Sequence, residues 1–247
     1  MKIILHGASG RMGTIMASAI EASETDITVA LVSPDYITDP DAGTYNSLAD
    51  CGVTADCIVD FSTHTATPAL LDYAVSHDLP VVIATTGHTE DELCAINAAA
   101  KSVPVFFASN MSVGIAVLVE MAKKAAAAFP DADIEIVEAH HKNKLDAPSG
   151  TAKTLFEAVR SVRERAWMKL GRHGLEKRTE DEIGMHSIRA AAIVGRHEVI
   201  IATPGETLTL THEAHDRSLF ANGALAAAHF IGAKPAGLYS MPDMLGD

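Results

Sequence analysis

Residues 7–13 read Gly-Ala-Ser-Gly-Arg-Met-Gly and stand between an apolar run at 2–6 and a helical pattern that starts near Met12. The glycines follow the spacing G-x-x-G-x-x-G, a variant of the dinucleotide fingerprint. Glycine lets the backbone approach a pyrophosphate, and the start of the next helix offers unpaired N–H groups and the positive end of its dipole. The strand–turn–helix context favours a dinucleotide-binding loop over a simple tight turn.

Outward from this loop, the first half of the chain alternates β-branched runs with helical patterns. Such alternation requires parallel strands joined by crossover helices, so we predict an α/β fold with a Rossmann-like doubly wound parallel sheet. The residues at 89–92, Thr-Glu-Asp-Glu, have the spacing of a helix capping box. The predicted strands are 2–6, 27–32, 57–61, 80–84 and 103–108, and the predicted helices are 12–22, 65–76 and 90–101.

After Asn110 the pattern changes to that of a smaller α+β domain. We expect three β-rich runs without intervening helices to pair as antiparallel neighbours. The predicted elements are a helix ending near 129, a strand at 133–139, a helix at 151–164, a loop-like segment at 166–182, strands at 186–192, 197–202 and 207–214, and a helix at 218–231.

Composition and charge narrow the classes of partner. The chain has 247 residues, with 19 Lys and Arg against 32 Asp and Glu, for a net charge of −13. This acidity repels phosphate backbones, so we expect a small-molecule partner and no nucleic acid. No uninterrupted apolar run reaches about eighteen residues and the N-terminus is not a signal peptide, which predicts a cytoplasmic protein with no membrane partner. Cys51, Cys57 and Cys94 lack metal-site spacing and are expected to be buried free thiols.

Polar turns follow three later predicted strands. They are Asp60-Phe61-Ser62-Thr63, Thr85-Thr86-Gly87 and Ser109-Asn110-Met111-Ser112. Each alone is compatible with a helix cap, but together with the glycine loop they favour a ligand crevice at the carboxyl ends of the strands. The usual acidic ribose anchor after the second strand is missing, since residues 30–35 offer a carboxylate only at Asp35.

Residues 138–152 read Glu-Ala-His-His-Lys-Asn-Lys-Leu-Asp-Ala-Pro-Ser-Gly-Thr-Ala and concentrate positive charge in an acidic chain. A helix start at 149–151 adds backbone N–H groups beside His140, His141 and Lys144, so we predict a substrate site for an anion. Lys142 is expected to be an ordinary surface lysine. Adjacent histidines without a suitably spaced carboxylate do not fit a metal site, so we predict no metal.

Together these segments resemble the dihydrodipicolinate reductase family of the diaminopimelate and lysine pathway. The segment at 138–152 is highly specific to that family, and the resemblance spans nearly the whole chain. It is carried by residues 7–13, 84–87, 109–114 and 138–152, with further support at Arg189, 193–197, 211–212, Arg217 and 220–224.

The resemblance implies NADH- or NADPH-dependent reduction of a dicarboxylate, 4-hydroxy-tetrahydrodipicolinate, to tetrahydrodipicolinate by a homotetramer. It implies acid–base work for His140, proton donation by Lys144, and carboxylate binding by His141, Gly150 and Thr151. The implied domains are 1–110 for the dinucleotide, 111–217 for substrate and tetramerisation, and 218–247 as a C-terminal helix and tail that return to the first domain. The implied cofactor-binding residues are Gly7, Ala8, Ser9, Gly10, Arg11, Met12, Ala84, Thr85, Thr86, Ala108, Ser109, Asn110 and Met111.

The chain departs from the family pattern at several of these positions. Ala84 and Met111 stand where Gly and Phe are frequent, and Val32-Ser33 replaces an acidic–basic pair that some members use at the adenosine ribose. We therefore predict that NADH and NADPH are used within about tenfold of each other. Two alternatives stay open at this point: another two-domain NAD(P)-dependent dehydrogenase, or a dinucleotide-sensing regulator without turnover. Retention of both His140 and Lys144 favours an enzyme.

Overall fold

The computed structural model describes residues 1–246, which form two compact units. The first unit combines Met1–Ser112 with Arg217–Asp247, and the second unit is Val113–Asp216. In chain order the strands are β1 Lys2–His6, β2 Ile27–Val32, β3 Thr44–Tyr45, β4 Cys57–Asp60, β5 Val81–Ile83, β6 Pro104–Phe107, β7 Asp133–His140, β8 Trp167–Leu170, β9 Glu182–Arg189, β10 Gly195–Ala202, β11 Thr207–Ala214 and β12 Gly237–Tyr239. The helices are α1 Arg11–Glu21, α2 Thr67–Ser76, α3 Glu90–Ala99, α4 Val113–Ala128, α5 Gly150–Arg160, α6 Ser218–Ile231 and α7 Met241–Leu245.

The first unit is built on a seven-stranded sheet in the order β12-β6-β5-β4-β1-β2-β3. Every pairing in it is parallel. The interior strands β1, β4, β5 and β6 are almost wholly buried and apolar, as expected for a parallel sheet covered on both faces. The predicted Rossmann-like doubly wound sheet is confirmed.

The helices predicted for this unit from local sequence patterns lie within two residues of the observed bounds. The capping box at the start of α3 is formed, because Thr89 Oγ1 accepts the Glu92 N–H at 3.3 Å and the Glu92 carboxylate accepts the Thr89 N–H at 2.7 Å. Helix α6 has the predicted bounds. The predictions missed β3, β12 and α7, which have only two, three and five residues. Strand β12 pairs with β6 at one edge of the sheet.

The second unit is a mixed five-stranded sheet in the order β11-β10-β7-β9-β8. Strands β10 and β11 are antiparallel neighbours as predicted. The same expectation is wrong for β9, because β7 lies between β9 and β10, and β9 runs parallel to both β7 and β8. The segment predicted as loop-like also contains β8. Its four residues are at most half-buried at the sheet edge, so no apolar alternation marks them.

One face of this sheet packs against α4 and α5. The shared core contains Ile134 and Ile136 of β7, Val199 of β10, and Leu155 and Phe156 of α5. Apolar side chains that remain exposed in this unit include Trp167, Leu170, Ile188 and Leu208.

The cysteine prediction holds in part. Cys51, Cys57 and Cys94 are free, but Cys94 is exposed rather than buried, because it lies on the solvent side of α3. Burial raises the pKa of the Cys57 thiol to about 12. Among residues 1–246, no helix combines the length and hydropathy needed to cross a membrane.

Candidate functional site

The glycine loop of the first unit lies between β1 and α1, and its shape depends on the absence of side chains. Gly7 has a φ of 80°, and a Cβ there would lie 2.5 Å from the Ser62 backbone nitrogen. A Cβ on Gly13 would overlap the carbonyl oxygens of Gly7 and Ala8. The loop therefore passes close to the end of β4, at the point where the strand order reverses around β1. Open α/β sheets bind ligands at this position.

Asp60 connects the loops at this edge of the sheet. Its fully buried carboxylate lies 2.8 Å from Nδ1 of His6 at the end of β1. The same carboxylate accepts hydrogen bonds from the Ser62 hydroxyl at 2.6 Å and the Thr85 hydroxyl at 2.7 Å. Because these partners lie at the end of β1 and just after β4 and β5, one side chain links three strand ends.

Ser9 of the glycine loop contacts the end of β2. Its Oγ lies 2.5 Å from the Ser33 hydroxyl and donates to the Asp35 carboxylate at 2.7 Å. Asp35 thus reaches the loop despite the intervening Pro34. Arg11 is exposed at the first position of α1, and Gly10 is the N-cap residue of that helix.

The remaining predicted cofactor residues follow β5 and β6. Ala84, Thr85 and Thr86 come directly after β5, and the Thr85 side chain is buried on Asp60. Residues 108–111 follow β6, where Met111 is buried against α6 because a Cβ on Gly223 would overlap its carbonyl oxygen. The predicted cofactor-binding residues thus lie at the carboxyl edge of the parallel sheet, in the loops after its strands and, for Arg11 and Met12, in the first turn of α1.

The predicted substrate segment of the second unit is organised around Glu138. This carboxylate is fully buried and receives both terminal nitrogens of Arg189, each at 2.8 Å. It also lies 2.6 Å from Nδ1 of His140 and accepts the Ser149 N–H at 3.2 Å. Burial alone raises the pKa of Glu138, but hydrogen bonds, the strongest from Arg189, outweigh it and lower that pKa to about 2.

Two imidazoles lie side by side above this carboxylate. The rings of His140 and His197 meet edge to face, with centroids 5.1 Å apart. Burial lowers the pKa of His140, although the Glu138 carboxylate opposes that shift. Burial, together with the positive field of His140, lowers the pKa of His197 to about 4. Both rings are therefore neutral at neutral pH.

The start of α5 forms the other side of the segment. Ser149 is the N-cap, with its Oγ accepting the Ala152 N–H at 3.2 Å. The same Oγ lies 3.2 Å from Nε2 of His197. Gly150 and Thr151 occupy the first turn, where backbone N–H groups and the helix dipole favour an anion.

His141 and Lys144 lie on the turn between β7 and α5. The Lys144 N–H donates to the His141 carbonyl at 3.1 Å, which closes the turn. The Lys144 ammonium pairs with Asp146 at 2.8 Å and remains partly exposed. Lys142 is exposed, as expected for a surface lysine. Within residues 1–246, no group of three or more His, Cys, Asp or Glu side chains is placed to hold a metal ion.

Sequence reasoning missed the supporting side chains of this site. Glu138 was visible only as the first residue of the motif, and Arg189 and His197 only as scattered matches, none with a role. The i, i+2 spacing of Glu138 and His140 on a strand was the one available signal that both face the same side. Strand order brings Arg189 and His197 to them, and no local pattern encodes it.

The first unit is a parallel sheet with a glycine-built ligand edge, and the second carries two imidazoles, a lysine and a capped helix start. This combination fits a two-domain NAD(P)H-dependent oxidoreductase. The profile described as "Dihydrodipicolinate reductase, N-terminus" matches residues 1–111, and "Dihydrodipicolinate reductase, C-terminus" matches 114–245. The chain belongs to the dihydrodipicolinate reductase family, whose members have 4-hydroxy-tetrahydrodipicolinate reductase activity in lysine and diaminopimelate biosynthesis. The resemblance seen in the sequence is confirmed.

Individual relatives agree over the full length. A 4-hydroxy-tetrahydrodipicolinate reductase of Caldanaerobacter subterraneus subsp. tengcongensis is 43% identical over 249 residues, covering 99% of this chain and 98% of the relative. The enzyme of the same name from Clostridium novyi is 40% identical over 99% of this chain and 98% of its own length. The fold matches dipicolinate-bound dihydrodipicolinate reductase from Paenisporosarcina sp. TG-14 with a TM-score of 0.83, at 24% identity and 97% coverage of both chains.

Proposed function

We propose that this chain reduces 4-hydroxy-tetrahydrodipicolinate to tetrahydrodipicolinate, with His140 and Lys144 moving protons and the start of α5 binding a substrate carboxylate. The observation that carries the proposal is the arrangement of the second unit. A neutral imidazole held by a buried carboxylate lies on the same β7–α5 segment as a lysine and a capped helix start.

The net reaction determines what these groups must do. The substrate gains a hydride and a proton and loses its 4-hydroxyl group as water, so protons are moved at more than one atom. His140 presents a neutral ring at neutral pH and can accept or return a proton through Nε2. Lys144 carries a positive charge and donates the proton that the reduced substrate takes up.

The dicarboxylate substrate calls for two anion contacts. Gly150 and Thr151 offer the first-turn N–H groups of α5, and His141 and Lys144 lie on the turn just before it. In an acidic chain this placement concentrates positive potential where the carboxylates bind. The electrostatic attraction acts on substrate and transition state alike, so it should mainly set KM.

The first unit fits NADH or NADPH. Without side chains, Gly7 and Gly13 let the loop backbone pack closely against the end of β4 and the start of α1, and Gly10 caps that helix, which turns its first N–H groups toward the loop. Bound there, the cofactor supplies the hydride. The proposed contacts are residues 7–12, 84–86 and 108–111, all at the carboxyl edge of the sheet.

The proposal extends to organisation and location. We assign residues 1–110 to dinucleotide binding, 111–217 to substrate binding and tetramerisation, and 218–247 to a segment that returns to the first domain. Pairing of β12 with β6 supports the last assignment. Exposed Trp167 and Ile188, on the face of the second unit's sheet that the helices do not cover, support a homotetramer built through that sheet, since exposed apolar side chains grouped on one face mark interaction surfaces. We place the enzyme in the cytoplasm.

The direct test follows oxidation of NADH and of NADPH by purified protein with enzymatically generated substrate, while sedimentation gives the oligomeric state. Turnover that requires the dicarboxylate, and that falls in His140→Gln, supports the proposal. Full turnover by His140→Gln would remove His140 from the mechanism.

A further inference from the structure

Glu138 is a fully buried carboxylate whose hydrogen-bond partners come from several elements. Its two oxygens accept hydrogen bonds from Arg189 on β9, from His140 on β7 and from the backbone N–H of Ser149, the residue that caps α5. A buried ion pair gains little net stability, because taking two charges out of water costs about as much as their attraction returns. A fully buried carboxylate that joins three elements at the site therefore points to a role in function.

We propose that Glu138 is a positioning residue that fixes both the proton on His140 and the capped start of α5. This inference rests on the proposed function, because it assumes that His140 and α5 act on the substrate. Glu138 itself touches neither substrate nor cofactor in this scheme.

The first part of the role concerns His140. A carboxylate can only accept, so the ring nitrogen 2.6 Å away, Nδ1, must carry the hydrogen. The neutral ring then has its lone pair on Nε2, the atom left to exchange a proton with substrate. A Cβ at position 195 would lie 3.2 Å from Nε2, so Gly195 keeps space beside that atom.

The second part concerns α5. The Glu138 oxygen that accepts from Ser149 N–H holds the backbone of the same residue whose side chain caps the helix. Arg189 orients the carboxylate by a bidentate contact and also donates to the Asp146 carbonyl at 2.6 Å, within the loop that carries Lys144. Displacing the carboxylate would therefore disturb the base and the anion site together.

A test of this role must separate the effect of the Glu138 charge on His140 from the effects of the other charged groups around the ring. Glu138 is the negative group that favours a protonated ring, whereas the positive groups disfavour it. The groups that face His140 are Glu138 on β7, Arg189 on β9, His197 on β10, and Lys144 with its partner Asp146 on the loop before α5.

Glu138→Gln keeps the shape and removes the charge. We expect the protonation midpoint of His140, read by NMR of its imidazole carbon-bound protons and assigned with His140→Gln, to fall by on the order of one pH unit or more. We expect kcat to fall by at least about tenfold, with a smaller rise in KM because the glutamine oxygen can still accept from Ser149. Glu138→Asp keeps the charge, so its His140 midpoint should stay closer to wild type.

Glu135 provides a matched control on the same strand. It too lies between a histidine and an arginine, 2.8 Å from His186 Nε2 and bonded to Arg178, but it is part-exposed and faces the side of the sheet opposite to Glu138. Glu135→Gln should leave the His140 midpoint and kcat unchanged. Equal shifts of the His140 midpoint in both variants would show that the shift does not depend on contact with His140, and that result would overturn the proposal.

A folded Glu138→Gln protein with a wild-type His140 midpoint and kcat would also overturn it. If that variant does not fold, Arg189→Lys carries the test, since it keeps the charge and loses the bidentate contact. A fall in kcat there supports the inference and an unchanged kcat refutes it. If His140→Gln turns over normally, the role proposed for His140 has failed. If His140 is required but Glu138→Gln leaves kcat and the His140 midpoint unchanged, only this inference has failed.

Discussion

The candidate site of the first unit is formed mainly by backbone, whereas that of the second unit is formed mainly by side chains. At the edge of the parallel sheet, the site consists of backbone, because Gly7 and Gly13 let chain segments approach so closely that a Cβ would overlap neighbouring backbone atoms. In the mixed sheet, the site consists of side chains from β7, β9, β10 and a helix cap. A site made of backbone is encoded by local spacing, whereas a site made of side chains depends on strand order. Substitutions should therefore affect the two units differently.

The largest effect is expected at the proton donor of the second unit. Lys144→Ala should lower kcat by about 10²–10⁴-fold, the usual contribution of a positioned proton-transfer group, and leave the Kd for NADH nearly unchanged. Steady-state kinetics and fluorescence titration with NADH measure the two quantities. Lys142→Ala, two residues away and exposed, is the control and should behave as wild type. Equal losses in both variants would show that only the charge of the segment matters.

Substitution of a glycine in the loop of the first unit should weaken dinucleotide binding and leave the side chains of the second unit unaffected. Gly13→Ala places a methyl group against the Gly7 and Ala8 carbonyls, and overpacking of this kind costs about 1–3 kcal/mol. We expect weaker binding of both dinucleotides and a lower Tm, with the NMR titration of His140 unchanged. Gly52→Ala meets no atom within 4 Å and serves as the control. Normal dinucleotide affinity in Gly13→Ala would remove this loop from the cofactor site.

The side-chain site should also make stability depend on pH. Burial lowers the pKa of His197 from 6.5 to about 4. Between about pH 4 and pH 6.5, His197 is therefore protonated in the unfolded chain but neutral in the folded chain. Unfolding free energy should therefore fall by on the order of 3 kcal/mol as pH drops from about 6.5 to about 4. Denaturant titrations at several pH values measure it. His197→Gln should flatten that slope; an equal slope in the variant would assign it to other groups.

A smaller effect is expected at the start of α5, where backbone N–H groups and the Thr151 hydroxyl both bind the substrate carboxylate in the proposed site. Thr151→Val removes one hydroxyl at the start of α5 and keeps the backbone N–H groups. We expect KM for the dicarboxylate to rise by about tenfold and kcat to change less, because a hydrogen bond to a charged group contributes about 1.5–3 kcal/mol and acts on ground and transition states alike. Kinetics over a full substrate range decide this. An unchanged KM would place the carboxylate elsewhere.

The smallest effect concerns the choice between NADH and NADPH. We predict that kcat/KM for the two cofactors differs by less than about tenfold. The Ser9–Asp35 hydrogen bond brings a carboxylate to the glycine loop, which favours a free ribose hydroxyl, whereas exposed Arg11 favours a 2′-phosphate. Dissociation constants for both dinucleotides in Asp35→Ala and Arg11→Ala separate the two. A ratio above about a hundredfold in wild type would mean that one of these residues dominates.

Much of the fold could be read from the chain because its signals are local. The capping box at Thr89 and Glu92, the bounds of α6 and the glycine loop each involve residues a few positions apart, and backbone geometry over that distance follows from residue type. The same holds for the capped start of α5 within the charged motif. These features were predicted with errors of a few residues at most.

The sequence alone determined the parallel sheet, the glycine loop and the motif at 138–152, since each depends on spacing within one segment. Only the tertiary structure decided that β7 separates β9 from β10, that Arg189 and His197 converge on Glu138 and His140, and that Asp35 reaches back to Ser9. The reason is physical. Strand pairing and burial bring together residues that lie tens of positions apart, and the hydrogen bonds between these distant residues and the burial that lowers the pKa of His197 arise only from that proximity.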